Sequence, residues 1–228
     1  MSRFSLADQV IFGFLNATLV FTLAYAVLGF GTQFGAGFAI EDGPIEYGTA
    51  VALFMASLVL FWRAIRLGRA ARIGAGLLVA FYALIFVFGA GEEISWGQRI
   101  FGWETTEYFL ENNRQMETNL HNLAFGEEQL AKTLFGSVLT TVLLLYLVVL
   151  PPLYPRVRWI AKLADALMVP VPGLRHTIIA VVASLLVAVV DLPRKWEVYE
   201  FIFGLLSLSI FIGPANSAHF DTSGAPEK

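Results

Sequence analysis

Apolar residues fall in six runs separated by polar links, at about 10–30, 47–62, 73–90, 134–150, 177–190 and 199–212. A helix that crosses a bilayer needs about 20 mainly apolar residues, because each adds about 1.5 Å across a hydrocarbon core about 30 Å thick. The second, third, fifth and sixth runs reach that length only with their flanking residues. No run alternates with the two-residue period of a lipid-exposed barrel strand. The pattern predicts an all-α, polytopic membrane helical bundle of about six transmembrane helices. It forms one domain over 1–216, followed by a disordered tail over 217–228. The first run is too long for a signal-peptide core, and only Arg3 precedes it as a positive charge, so the first helix is expected to be retained.

Lys and Arg gather in alternate links, which sets the orientation. Arg63, Arg66, Arg69 and Arg72 lie between runs two and three with no acid among them. Arg156, Arg158, Lys162 and Arg175 lie between runs four and five, opposed by Asp165 alone. Both links are predicted to be cytoplasmic, as are both termini. Glu41, Asp42 and Glu46 stand in the first link, on the outer side, with no base beside them. Segment 153–174 is too broken by Pro151, Pro152, Pro155, Pro170 and Pro172 to span. Val157, Ile160, Ala161, Ala164 and Leu167 fall there at helical spacing and predict a short helix in the cytoplasmic interface. Gly31 and Gly35 read as a turn at a helix end rather than a packing seam.

Composition agrees with the pattern. The chain has 228 residues, 57% hydrophobic and 14% charged, against about 25% charged in an average soluble domain. Its mean hydropathy is +0.68. Fifteen Lys and Arg against 18 Asp and Glu leave a net charge of −3 and no basic excess for nucleic acid. With no cysteine, disulfides and thiol catalysis are excluded. The partners expected are membrane lipid and a lipid-like or small-molecule ligand, in a plasma or inner membrane.

Polar chemistry concentrates in the outer link 91–129, which holds 8 of the 18 acids. At this length a link is more often functional than merely connecting. Glu92-Glu93 continue directly from the third run. If the helix runs on, Glu92, Ser95, Trp96 and Arg99 share a face. Twenty steps from Arg72 place Glu92 about 30 Å along, at the outer membrane boundary, where an unpaired charge is costly. Two adjacent carboxylates repel, which favours a shared proton and suits acid/base work. Further on, a helical reading aligns Asn113, Glu117 and His121. Glu93, Glu117 and His121 are then candidate ligands of a divalent metal, as an oxygen-rich set with one nitrogen. Pro193 is expected to start the last helix, with Glu197 and Glu200 on one face near the same mouth. His176 reads as interfacial, and Trp62, Trp159 and Trp196 as interface belts.

The candidate catalytic residues are Glu92, Glu93, Arg99, Glu117 and His121. Those lining the site are Trp96, Gln98, Asn113, Asn122 and Glu200. Arg99 would bind an anionic headgroup or polarise a carbonyl; Glu92 or Glu93 would be the base, and His121 a second acid/base. The Glu doublet with Arg99 and His121-Asn122 invites comparison with intramembrane CAAX-type proteases, whose pattern reads EExxxR, FxxxH and HxxxN or HxxxD. Here five residues separate Glu93 from Arg99 and no FxxxH follows, so the chain is not assigned to them. Three functions fit the sequence: a lipid- or membrane-substrate-modifying enzyme, a small ion- or proton-coupled transporter, and a non-catalytic subunit that docks a partner through the outer link.

Overall fold

A computed structural model describes residues 5–124 and 136–221. Glu127 and Glu128 of the outer link, and the start of the fourth run, lie outside the described residues. Every regular element described is a helix, and one isolated antiparallel bridge joins Asn113 to Leu123. Four helical stretches are long and apolar enough to cross a membrane. They are α1 (Leu6–Val27), α2 (Pro44–Arg69), α3 (Ile73–Glu93) and α4 (Gly136–Leu153). The short α5 is Arg158–Ala166, as the spacing predicts. Two further apolar helices follow, α6 (Leu174–Val189) with 16 residues and α7 (Lys195–Ile212) with 18.

Local chemistry sets these boundaries. Ser5 caps α1, its Oγ accepting from the Asp8 N–H at 3.1 Å. Pro44 opens α2, where a missing N–H costs nothing. α2 and α3 form a hairpin closed by Ala70, Ala71 and Arg72, with Ala71 in the left-handed region. α4 runs through Pro151 and Pro152 after a π turn over Leu145–Val149. Pro151 cannot donate to the Leu147 carbonyl. Thr177 of α6 donates to that carbonyl instead, at 2.8 Å. Replacing Thr177 with Val is therefore expected to lower stability by about 1–2 kcal/mol, the cost of an unsatisfied buried carbonyl, read as a lower thermal midpoint.

α7 is the centre of the bundle. Val198, Ile202, Leu206 and Ile210 form a row four residues apart, and each is fully buried. Small residues let α2 approach. A Cβ on Gly204 would stand 3.3 Å from the Ala52 Cβ, and one on Gly48 would stand 2.8 Å from the Phe201 ring. The outside of the bundle is apolar too: Phe21, Leu77, Phe81, Leu84 and Leu185 are exposed. Gly31 and Gly35 are packing positions, contrary to their reading as a plain turn. Both face the Leu192–Pro193 corner, and a Cβ on Gly35 would meet the Pro193 ring at 2.8 Å.

Polar groups collect at two opposite ends. At the basic end, Arg63 donates to the Phe211 and Ile212 carbonyls at 2.9 Å and lies over the Phe220 ring. Arg72 donates to the His219 carbonyl at 2.7 Å. These contacts order a helical turn over Ser217–Phe220 with Phe220 buried, at the start of the segment 217–228 expected to be a disordered tail, of which 222–228 lie outside the described residues. His176 is not interfacial but fully buried. The Gly173 N–H donates to its Nδ1 at 2.9 Å, which assigns the proton to Nε2, 3.0 Å from Ser209 Oγ. The Ser209 hydroxyl donates to Asp8 Oδ1 at 2.8 Å, and Arg175 pairs with Asp8 at 3.1 Å. Proton donation runs from His to Ser to Asp, the reverse of what a Ser nucleophile needs, so this cluster is structural.

Candidate functional site at the acidic end

The opposite end is built where α3 stops. α3 does not continue to Arg99. Its last residue is Glu93, and Ser95, Trp96 and Gly97 all take left-handed backbone conformations before a short turn over Gln98–Phe101. Ser95 and Trp96 bear side chains, so this stretch is strained and must be held by its contacts. Trp96 folds back over Gly91, where a Cβ would meet its ring at 2.9 Å. There its Nε1 donates to Glu92 Oε1 at 2.9 Å.

Residues 113–123 form a hydrogen-bonded loop, not a helix. The aligned row of Asn113, Glu117 and His121 therefore does not form. Asn113 holds the loop: its Oδ1 accepts from the Gln115 N–H at 2.8 Å and its Nδ2 donates to Asn119 Oδ1 at 2.8 Å. Short polar side chains compete with helix by bonding nearby backbone, and here they win. Asn119 is buried and donates to Ser95 Oγ at 2.8 Å and to Glu117 Oε2 at 3.1 Å. Ser95 also bonds Glu117 directly. Gln98 Oε1 accepts from the Thr118 N–H at 2.8 Å. The loop is thus bolted to the end of α3.

Glu92 is buried and organises His121. Its Oε2 accepts from the backbone N–H groups of Leu120 at 2.6 Å and His121 at 3.2 Å. The same oxygen lies 3.4 Å from His121 Nδ1. On the other side of the ring, Nε2 lies 3.0 Å from Asn122 Nδ2, which also bonds Gln115. This pattern assigns the ring proton to Nδ1 and leaves the lone pair on Nε2. The imidazole side chain keeps 34% of its surface exposed.

Two arginines bind the remaining acids. Arg99 pairs with Asp42 and Glu117, and with Glu41 at 3.6 Å. Arg194 pairs with Glu197 at 3.1 Å, with Glu41 at 3.3 Å and more loosely with Glu46 at 4.0 Å. Glu41 bridges the two guanidinium groups. Arg99, whose expected role was to bind an anionic headgroup, is here surrounded by carboxylates. α7 begins at Lys195, after a left-handed Arg194, so Pro193 stands before the helix rather than opening it.

Glu93 and Glu200 are different. Neither makes a hydrogen bond or an ion pair among the described residues, although each lies within electrostatic reach of Glu197 and Glu46, and Glu93 within reach of Glu200. His121 is within reach of Glu200 as well. Glu93 is half-buried at the end of α3, and Glu200 is exposed about 8 Å into α7.

The expected metal ligands Glu93, Glu117 and His121 do not converge. Among the described residues no group of three His, Asp or Glu is placed to hold an ion. Glu117 is instead turned toward Ser95, Asn119 and Arg99, while His121 is turned toward Glu92 and Asn122. A cleft of about 400 Å³ lies beside this network, lined by Gln98, Trp103, Glu104, Thr105, Leu110 and Met116. Of the predicted lining residues only Gln98 reaches it.

Sequence reasoning left Ser95, Asn119, Arg194 and Glu41 outside the site. The opposite charges of Glu41 and Arg194 on predicted outer links were a signal for the last two. Comparison of the chain with protein-family models, with curated proteins and with solved structures finds no match.

Proposed function

We propose that the chain is a polytopic membrane enzyme performing acid/base chemistry on a lipid or other membrane-borne substrate at its acidic, outer end. The reading takes six spans, with α6 and α7 as the fifth and sixth, and places the basic end and both termini in the cytoplasm. The positions of Arg63, Arg66, Arg69, Arg72, Arg156, Arg158, Lys162 and Arg175 support that orientation. Trp62 and Trp159 toward the basic end, and Trp196 at the acidic end, are exposed where interface belts belong.

The observation that carries the proposal is the contrast between wired and unwired acids. Glu41, Asp42, Glu46, Glu92, Glu117 and Glu197 each have a structural partner. Glu93 and Glu200 have none among the described residues; unlike exposed Glu104, Glu107, Glu111 and Asp191, which also lack one, they lie within electrostatic reach of Glu46 and Glu197, and Glu200 within reach of His121. A group without partners can take up and release a proton without dismantling its surroundings. In this scheme His121 Nε2, oriented through Nδ1 by Glu92, becomes the base once substrate displaces the Asn122 amide from it, and Glu93 with Glu200 supplies the acid.

The unpartnered carboxylates also suit a cation-coupled carrier. Against it, α7 runs from Phe201 to Leu206 without a polar side chain, and Ile202, Phe203, Leu205 and Leu206 are packed in the core. A carrier would need a polar path there. The test compares lipid extracts of cells making the wild type, His121→Ala or neither. A lipid species that changes with the wild type and reverts with His121→Ala is expected. Identical extracts from wild type and variant would overturn the proposal.

A further inference from the structure

α5 lies between the end of α4 and the start of α6, at the basic end. One face belongs to the protein. Ala164 is buried, and Asp165 accepts from Tyr154 at 2.9 Å and from Asn216 at 3.0 Å, and lies 3.1 Å from His219 Nε2. The side chains of the other face are open, although the Leu167 carbonyl accepts from Tyr82 at 2.8 Å. Trp159 is 67% exposed, Leu163 51% and Leu167 43%, and their spacing of four puts them in one row.

A second row runs beside it. Arg158 and Lys162 are four residues apart and exposed, and neither makes an ion pair or a hydrogen bond among the described residues. The one acid of this helix, Asp165, is committed to the inward face. An apolar row flanked by unpaired cations fits a helix lying in a membrane surface. The tryptophan and leucines enter the acyl boundary while the guanidinium and ammonium meet lipid phosphates. Two unpaired cations also distinguish an anionic leaflet from a zwitterionic one.

We propose that α5 is a docking surface for anionic phospholipid headgroups in the leaflet at the basic end, with Arg158 and Lys162 as the phosphate contacts and Trp159, Leu163 and Leu167 as the anchor. The proposal rests on the membrane reading above. Two juxtamembrane cations correspond to a preference of about thirtyfold for anionic over zwitterionic lipid. The test uses the full chain purified from membranes and equilibrated in mixed micelles of phosphatidylglycerol and phosphatidylcholine, with bound lipids counted by native mass spectrometry. The wild type is expected to retain phosphatidylglycerol preferentially. The double variant Arg158→Gln/Lys162→Gln is expected to lose that preference, and Lys162→Arg to keep it.

Equal retention by wild type and double variant overturns the proposal, as does a dimer that Trp159→Ser abolishes, since a second copy would then cover the row. Carbonate extraction of cell membranes separates the two readings. A chain released by carbonate refutes membrane insertion itself. A chain retained by the membrane but without lipid preference refutes only the role of α5.

Discussion

Replacing Glu93 with Gln is expected to lower turnover by about 10²–10⁴-fold while leaving the thermal midpoint close to that of the wild type. The two halves of the expectation come from the same observation. Glu93 makes no hydrogen bond or ion pair among the described residues, so the neutral amide breaks nothing. In the proposed scheme the same change removes the proton donor. The measurement is the rate of change of the lipid identified by comparing extracts, alongside a melting curve. A Glu93→Gln variant that melts normally and works normally would take Glu93 out of the chemistry.

Arg99→Met is expected to act in the opposite way, through structure first. The guanidinium joins Asp42, Glu41 and Glu117, and the Glu117 side chain is only 8% exposed. Taking away the cation leaves a buried carboxylate uncompensated. Breaking a fully buried pair costs about 3–5 kcal/mol, and the partial exposure of Arg99 reduces this to about 2 kcal/mol. Glu117 also holds Ser95 and Asn119, so the loop over 113–123 is expected to loosen from α3. The readouts are a lower melting temperature and faster proteolysis within that loop. Arg99→Lys keeps the charge but loses the fork that spans several carboxylates, and should fall between the two.

The helices were legible because they depend on local composition. Apolar runs of the right length and the spacing in α5 needed no distant partner. The site was legible only as a location. The left-handed Ser95 and Trp96 are held by Gly91, Glu92 and Glu117, and Glu117 lies 22 positions from Ser95. The spacing of Glu117 and His121 suggested a helix. Asn113, Asn119 and Asn122 instead bond each other and nearby backbone, a competition that periodicity does not register. The arginine bridges were beyond a local reading altogether. Arg194 reaches Glu41 across 153 positions, and Arg175 reaches Asp8 across 167. A buried His176 in place of an interfacial one has the same origin, since Ser209 and Asp8 come from the two ends of the chain.

Acidic and basic ends on opposite sides of a bilayer are the central expectation, and the absence of cysteine allows a direct test. Single cysteines would be introduced at Thr106, exposed in the loop beyond α3, and at Arg69, exposed where α2 meets α3. Intact cells would be treated with a membrane-impermeant thiol reagent, before and after permeabilisation. Thr106→Cys is expected to react in intact cells and Arg69→Cys only once the membrane is opened. Reaction of both in intact cells, or of Arg69→Cys alone, would contradict a spanning bundle with an outward acidic site.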